Sequence, residues 1–349
     1  YEEMRTEFRR GEEERLEALR YLKAETLDGF RVEIHANIEL REQVPSVIKY
    51  GGEGIGLYRT EFLFLGRGAL PTEEEHYRDY RQILEAMGGR PVTVRTFDLG
   101  GDKLPSGQKD QSENPAMGLR AVRYCLRHPD LFRDQLRAAV RAAAHGNLRL
   151  MFPMVSGVVE VRAAKRMLLQ AFDEVVAEGI PACLPPVGIM VELPSAAMVA
   201  DRLAEEVDFL SIGTNDLIQY TLGVDRQNKD VAYLYQPLHL AVLRTLRSIT
   251  DAAHAAGKPV SMCGEMAGDP FFTLVLLGLG LDELSMNGPS IPLVKWVIRN
   301  ASARDGRQLL DRILLLHTVE EIEREVRAEM ARRFPGLLER AAAVGPASG

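Results

Sequence analysis

The sequence predicts an α/β protein whose main part is a (β/α)8 TIM barrel, and three observations support this prediction. The chain has 349 residues, 46% of them hydrophobic, and a barrel of this kind needs roughly 250 residues. Eight short β-like runs alternate with helical patterns, which implies parallel pairing through right-handed crossovers. An open doubly wound sheet would alternate in the same way, but strand number and length favour closure.

The predicted strands begin at residue 32 and end at residue 287. They are residues 32–38, 54–59, 92–98, 148–154, 187–192, 207–213, 259–264 and 282–287. The clearest helix starts are two capping boxes, Thr72 with Glu75 and Thr318 with Glu321, in which the hydroxyl caps the first turn and the glutamate reaches back. Two connections are unusually long, residues 99–128 and 214–237, and long connections at this end of a barrel usually carry function.

We expect three regions along the chain. Residues 1–27 are dense in Glu and Arg with one weak apolar stripe, which predicts a solvated linker helix leading to a missing upstream region. We expect residues 28–335 to form the barrel and residues 336–349 to form a flexible tail. A first residue of Tyr1 instead of Met fits a chain that continues upstream.

Composition argues against several classes of protein. A formal net charge of -7 argues against a general nucleic-acid binder, since such proteins need a basic face. The sequence contains no run of about 18 apolar residues, so it predicts no membrane span. Three scattered cysteines, Cys125, Cys183 and Cys263, suit neither a disulfide framework nor a zinc site, and we expect a cytoplasmic protein.

Two arginines end adjacent predicted strands. Arg59 and Arg95 would be costly to bury without anions, because a guanidinium keeps its charge and offers five donors. They therefore predict a site for a multiply charged oxyanion. The alternative is that they form plain salt bridges with Glu61 and Asp98.

Two carboxylates also fall at strand ends. Glu192 ends an apolar strand and Asp216 follows the next one, so both could meet over the barrel mouth. Two oxygen ligands with open positions suit Mg²⁺. The alternatives are salt bridges to the arginines, and for Asp216 a helix N-cap.

Cys263 lies at the end of the seventh predicted strand. A buried, inert thiol is the ordinary interpretation. The functional alternative is a proton donor, because a thiol with an unperturbed pKa of about 8.5 could protonate an enolate carbon near neutral pH.

Seven ordered motifs carry a family resemblance: GIGLYRTEFLFLGR, VRTFDLGGDK, ENPAMGLRAVR, MFPMVSGVVEVR, VGIMVELPSAA, FLSIGTNDLIQYTLGVDR and MCGEMAGDP. Together they resemble the C-terminal, phosphoenolpyruvate-binding domain of Enzyme I, the phosphoenolpyruvate-protein phosphotransferase of the bacterial sugar phosphotransferase system. The resemblance extends from about residue 28 to residue 335.

The resemblance implies a role for each candidate residue. It makes Arg59, Arg95 and Arg226 ligands of the phosphoryl group, and it gives Asn215 and Asp216 contacts to the substrate. Glu192 and Asp216 become the Mg²⁺ ligands. Cys263 becomes the acid that protonates C3 of enolpyruvate, and Arg120 becomes a neighbour of the substrate.

The resemblance also implies partners that lie outside this sequence. In the family the phosphate acceptor is a histidine on an upstream domain, a helical domain docks the phosphocarrier HPr, and the barrel forms a homodimer. This chain alone should bind phosphoenolpyruvate and exchange the protons of pyruvate, but it should not complete phosphotransfer. Two other interpretations remain, the C-terminal domain of a pyruvate phosphate dikinase and a non-catalytic phosphoenolpyruvate-sensing dimerisation module.

Overall fold

The computed structural model describes residues 18–63, 70–100 and 114–337, and it contains a closed barrel of eight parallel strands in chain order. The strands are β1 Glu33–Ile38, β2 Gly54–Arg59, β3 Val92–Arg95, β4 Leu148–Phe152, β5 Val187–Val191, β6 Phe209–Ile212, β7 Val260–Met262 and β8 Glu283–Met286. Pairing of β1 with β8 closes the ring. The predicted (β/α)8 barrel is confirmed.

Helices surround the barrel and both predicted capping boxes are present. The α-helices of the described residues are Val44–Lys49, Glu73–Met87, Val122–Arg127, Pro129–Ala143, Val158–Ala177, Pro194–Met198, Ala200–Glu206, Thr214–Leu222, Leu240–Ala255, Glu265–Gly268, Thr273–Leu279, Ile291–Arg299, Ala303–Ile313 and Val319–Arg333. Short 3-10 turns are Arg41–Gln43, Thr60–Leu63, Pro115–Met117, Ala232–Leu234 and Gly288–Ser290. In the described part of the chain, none of these helices combines the length and the apolar character needed to span a bilayer.

Apolar side chains form two layers. The larger one lies between the outer faces of the strands and the helices, and includes Ile55, Val94, Leu136 and Ile298. The smaller one consists of Leu57, Met151, Met190, Phe209 and Cys263. Because these five come from β2, β4, β5, β6 and the end of β7, they fill the barrel interior, as in a packed TIM barrel.

Several predicted strands extend beyond the observed ones at their carboxyl ends. Sheet pairing of β3 ends at Arg95, that of β5 at Val191 and that of β7 at Met262. Asp98, Glu192 and Cys263 therefore stand just beyond the sheet. In a parallel barrel all of these ends face the same side, so the side chains that leave the sheet can meet there.

The N-terminal helix prediction is wrong for the part of residues 1–27 that the structure describes. Only residues 18 and 19 are helical, and residues 20–27 form turns and a short bridge from Glu25 to Arg31. The backbone there bonds to the chain that follows, as in the 2.9 Å bond from Val32 N–H to the Ala24 carbonyl, and Ala24 is buried. Residues 1–17 and most of the predicted tail lie outside the described residues.

The two long connections differ from simple loops. Residues 214–222 of the second one form a helix that ends at Gly223, which has a left-handed conformation. Residues 101–113 of the first lie outside the described residues, and its last part forms the helix Val122–Arg127. The hydroxyl of Tyr220 donates to the carbonyl of Ala116 at 2.6 Å, which joins the two connections.

Candidate active site

A buried series of ion pairs runs across the carboxyl end of the barrel, with Asp98 at its centre. Asp98 Oδ2 lies 3.3 Å from Arg95 Nη2. The two Asp98 oxygens accept from Arg120 Nε and Nη2 at 2.8 and 3.0 Å. Arg120 Nη2 also donates to Asp216 Oδ2 at 2.9 Å. Side chains that follow β3 and β6 are thus joined directly through Arg120, which lies in the connection between β3 and β4.

Arg95 is buried and carries its charge among carboxylates. It also pairs with Glu61, which is buried in the turn after β2. Burial alone would lower the pKa of Arg95, but the charges of Glu61, Asp98 and Glu192 together raise it above its ordinary value. The salt-bridge alternative from the sequence therefore holds for Arg95 in the ligand-free protein.

Two polar atoms of this pair still have unused hydrogen-bonding capacity. Glu61 Oε2 and Arg95 Nε are buried and have no hydrogen-bond partner among the described residues. Buried polar atoms of this kind are costly unless something completes them. They indicate a place where a polar ligand or water fits beside Arg95.

Arg59 lies at the end of β2, and its ion-pair partner is not one of the two carboxylates that the sequence suggested. Its Nη1 donates to Glu39 Oε1 at 2.6 Å, and both side chains are partly exposed. Glu39 follows β1 directly, so neighbouring strand ends supply the pair. The sequence interpretation had named Glu61 and Asp98 as partners of the two arginines and had not considered Glu39.

Glu192 is 2% exposed and stands one residue beyond β5. Its Oε1 accepts from the backbone N–H of Met154 at 2.6 Å. Met154 has a φ of 54°, which is uncommon for a non-glycine residue. Burial and the charges of Asp216 and Asp98 raise the pKa of Glu192 to about 8.

The surroundings of Glu192 and Asp216 fit a divalent cation. The carboxylate of Glu192 approaches β6 closely because Gly213 lacks a side chain; a Cβ there would lie 3.0 Å from Glu192 Oε2. Two carboxylates whose charges oppose each other in a buried site are stabilised by a cation, and hard oxygen ligands suit Mg²⁺. The N-cap alternative for Asp216 is wrong, because Gly213 is the N-cap of that helix.

Cys263 is 3% exposed and belongs to the inner apolar layer. The Ser211 hydroxyl donates to its Sγ at 3.4 Å. Burial raises the pKa of Cys263 to about 11, and the charge of Glu192 acts in the same direction. The thiol therefore keeps its proton at neutral pH, which a proton donor requires.

Asn215 and Arg226 are held together by Glu265, a residue that the sequence interpretation missed. The amide of Asn215 donates to Glu265 Oε1 at 2.9 Å and accepts from the Glu265 backbone N–H at 3.0 Å. Arg226 Nη1 donates to the same Glu265 oxygen at 2.8 Å. The position of Glu265 two residues after Cys263 was a signal that could have identified it.

The candidate arginines and carboxylates thus lie at the carboxyl end of the barrel, and each of these arginines already pairs with a carboxylate. Glu192, Asp216 and Arg120 lie around Asp98 and Arg95, whereas Arg59 and the pair Asn215 and Arg226 reach the same end through their own partners. A set of cations with replaceable carboxylate partners can bind an anionic ligand by exchange. The roles of these residues as ligands stay predictions.

The class of protein follows from a comparison with known families. Residues 13–303 match the family model described as PEP-utilising enzyme, PEP-binding domain. This match covers most of the chain, and the chain belongs to this family.

Curated relatives carry a more particular name. The chain is 51% identical over 302 residues to a phosphoenolpyruvate-protein phosphotransferase of Priestia megaterium, covering 86% of this chain and 53% of that protein. It is 49% identical over 297 residues to that of Bacillus subtilis, with coverages of 84% and 52%. It is 48% identical over 324 residues to that of Staphylococcus carnosus, with coverages of 92% and 56%. The chain therefore spans about half the length of these relatives.

A solved structure of a citrate lyase from Burkholderia xenovorans is also similar. The TM-score is 0.48 at 18% identity, and the match covers 95% of this chain and 97% of that one.

Proposed function

We propose that this chain binds phosphoenolpyruvate with Mg²⁺ and transfers the phosphoryl group to a histidine on an upstream domain, releasing pyruvate. The ion-pair series that joins Arg95, Asp98, Arg120 and Asp216 at the carboxyl end of the barrel carries the proposal. The name shared by the relatives supports the same reaction. In the full-length protein this is the first step of the sugar phosphotransferase system.

The arginines would bind the substrate by exchanging one anion for another. Arg59, Arg95 and Arg226 now hold Glu39, Glu61 and Glu265, and the phosphoryl oxygens would take the place of these carboxylates. Asn215 and Arg120 would orient the rest of the substrate from the same end. Arginine suits this work because its planar fork bonds phosphate and carboxylate with two donors at once.

Glu192 and Asp216 would hold the Mg²⁺. When bound, the cation neutralises charge on the phosphoryl oxygens as the P–O bond loosens. Met154 N–H fixes one oxygen of Glu192, so that this ligand is already oriented. The buried Arg95 and Arg120 add positive charge in a site from which water is largely excluded.

Cys263 would supply the proton that completes the reaction. Once the phosphoryl group has left, the S–H bond breaks and a C–H bond forms at C3 of enolpyruvate, giving pyruvate and a thiolate. The charges of Arg95 and Arg59 oppose part of the rise that burial causes in the pKa of this thiol, and so they stabilise the thiolate until it takes a proton back from solvent.

The same proposal implies interaction partners, a cellular location and an oligomeric state for the protein. The histidine-bearing domain would belong to the full-length protein and HPr would be its docking partner, and we place the protein in the cytoplasm. The barrel would form a homodimer through large apolar side chains near its carboxyl end, where Met117, Met198 and Tyr233 are 62%, 85% and 73% exposed. Sedimentation should show a dimer that Met198→Asp with Tyr233→Asp weakens.

The direct test supplies the missing upstream half of a relative in trans and follows its histidine. We expect Mg²⁺-dependent phosphorylation of that histidine from phosphoenolpyruvate. Phosphoenolpyruvate binding with no phosphorylation would contradict the proposal in favour of a sensing module. Exchange of phosphate that requires ATP would instead indicate a dikinase domain.

A further inference from the structure

Gln135 is a buried amide that lies outside the candidate site but contacts the backbone on which the site is built. It belongs to the helix Pro129–Ala143 and is fully buried beside apolar neighbours such as Phe132 and Leu136. A buried amide costs free energy unless its polar atoms are hydrogen-bonded. Its contacts therefore show what keeps it there.

Three hydrogen bonds satisfy the amide. Gln135 Oε1 accepts from the backbone N–H of Phe97 at 3.0 Å. Its Nε2 donates to Thr60 Oγ1 at 3.2 Å and to the Tyr80 hydroxyl at 3.1 Å. Because the Phe97 N–H can only donate, the amide oxygen must face it, and the orientation of the amide group is fixed.

Thr60 extends this network to the next strand. While it accepts from Gln135, its hydroxyl donates to the carbonyl oxygen of Arg95 at 3.0 Å. One amide thus anchors the chain just after β2 and just after β3. Neither the Phe97 N–H nor the Thr60 hydroxyl belongs to a sheet pairing, since β2 ends at Arg59 and β3 at Arg95.

Each anchored point adjoins a charged residue of the site. Thr60 stands between Arg59 and Glu61 in the chain, the second anchor is the carbonyl of Arg95 itself, and Phe97 precedes Asp98. Rigid support of this kind sets the distance between groups that must grip one ligand, and small displacements of such groups are costly.

We propose that Gln135 is a positioning residue that sets the spacing of Arg59 and Arg95 for the phosphoryl group. This inference rests on the proposed function, because the ligand it concerns is phosphoenolpyruvate. Gln135 touches neither the arginine side chains nor the carboxylates Glu192 and Asp216 in any described contact. It should therefore act on phosphoenolpyruvate affinity and leave Mg²⁺ affinity alone.

The test measures phosphoenolpyruvate and Mg²⁺ binding separately by calorimetry on the whole chain. In Gln135→Met, which keeps side-chain length but loses the three bonds, we expect phosphoenolpyruvate to bind about tenfold more weakly or worse. Mg²⁺ alone should bind as in the wild type. A general loosening of the barrel would weaken both.

Tyr80→Phe is the matched control. It removes one partner of the same buried amide but leaves the bonds to Thr60 and Phe97 intact, so it should lower the melting temperature and spare phosphoenolpyruvate affinity. Thr60→Val cuts the link to the Arg95 carbonyl and should reproduce the affinity loss. Combined with Gln135→Met it should add little, because both changes break one network.

The outcomes separate this inference from the proposed function. Failure of the wild-type chain to bind phosphoenolpyruvate would refute the proposed function itself. A wild type that binds, with Gln135→Met unchanged or weakened equally for both ligands, overturns the positioning role alone. If Gln135→Met does not fold, Thr60→Val decides: unchanged phosphoenolpyruvate affinity overturns the inference, and a selective loss upholds it.

Discussion

At the scale of single residues, Cys263, the proposed proton donor, gives the sharpest prediction. Cys263→Ala should reduce Mg²⁺-dependent deuterium exchange into the methyl group of pyruvate by about 10²- to 10⁴-fold, the usual contribution of a positioned acid or base. Phosphoenolpyruvate affinity should stay within about twofold, since a thiol adds little to anion binding. Exchange is followed by proton NMR.

Cys183→Ala provides the control for this thiol. Cys183 is exposed and lies outside the inner layer, so its removal should leave exchange unchanged. Full exchange in Cys263→Ala would remove Cys263 from the chemistry and return it to the interpretation of an inert buried thiol.

Substitution of the two strand-end arginines should affect stability differently, because Arg95 is buried and Arg59 is partly exposed. Arg59→Ala removes a partly exposed pair with Glu39 and should cost the fold less than about 1 kcal/mol. Arg95→Ala leaves Glu61 and Asp98 buried without their shared cation and should cost about 3–5 kcal/mol of unfolding free energy. Each change should weaken phosphoenolpyruvate binding by about 1.5–3 kcal/mol, the value of a charged hydrogen bond.

Calorimetry and chemical denaturation check both arginine predictions. Arg202 is exposed and pairs with Glu205, so Arg202→Ala should change neither quantity. Unaltered phosphoenolpyruvate affinity in both Arg59→Ala and Arg95→Ala would take the arginines out of the site.

His35 predicts a pH dependence at the opposite end of the barrel. Its ring is fully buried, with Nδ1 2.8 Å from Glu283 Oε1 and Nε2 3.3 Å from Glu33 Oε2. Arg149 Nη1 donates to the other Glu283 oxygen at 3.0 Å. Burial alone would lower the pKa of His35, but the charge of Glu283 and the close contacts with Glu283 and Glu33 raise it to about 9.

The sign of the effect follows from this raised pKa. The folded protein binds the proton of His35 more tightly than the unfolded chain, whose ordinary histidine pKa is about 6.5. The stabilisation, about 3 kcal/mol at most, is therefore complete below about pH 6.5 and is lost as the pH rises through about 9. Urea denaturation should show a decline between pH 6.5 and 9 that His35→Gln flattens; an equal decline in both proteins would contradict it.

At the scale of elements, the ends of β6 and β7 approach each other too closely for a side chain at position 264. A Cβ on Gly264 would lie 1.8 Å from Thr214 Oγ1 and 2.8 Å from Thr214 N. Gly264→Ala should therefore lower the unfolding free energy by about 1–3 kcal/mol through overpacking and displace Cys263 beside it.

Thr214→Ala offers a partial rescue, because it removes the hydroxyl but not the backbone nitrogen. Gly157→Ala is the control, since a Cβ there meets nothing within 4 Å. Thermal melts of the three variants and the double variant test the prediction. Wild-type stability in Gly264→Ala would show that the two strand ends can move apart.

The elements themselves could be predicted from sequence, and their exact ends could not. Apolar runs of strand length located all eight strands, because burial on both faces makes such runs nearly continuous. Polar residues such as Asp98 and Glu192 continue these runs without joining the sheet. The residue at which sheet pairing stops depends on the neighbouring strands. The local sequence of one strand does not specify those neighbours.

The sequence could indicate individual residues of the candidate site but not the contacts between them. Arg95, Glu192 and Cys263 are unusual at the ends of apolar strands, and that local contrast marks them. Glu39, Met154 and Gln135 act through partners at least twenty residues away in the chain. The predicted helix is absent from residues 20–27 for a related reason, because the backbone around residue 24 bonds to residue 32 instead of continuing a helix.

At the scale of the whole molecule, a chain with a net charge of -7 places Arg59, Arg95, Arg120 and Arg226 at the carboxyl end of its barrel and pairs each of them with a carboxylate. These pairs balance the charges of the site without a ligand. We therefore expect binding to be an exchange, in which a small, highly charged anion with its cation competes with carboxylates of the protein. Because the chain spans about half the length of its relatives, we expect it alone to bind substrate and exchange the protons of pyruvate, and to need the upstream half for phosphotransfer.

Calorimetric titration of phosphoenolpyruvate into this chain, with Mg²⁺ and then with a chelator in its place, tests the central claim most directly. We predict one phosphoenolpyruvate bound per chain with Mg²⁺ present and at least about tenfold weaker binding without it, because the cation offsets the charges of Glu192 and Asp216. Absence of binding, or equal affinity in both conditions, would contradict the account.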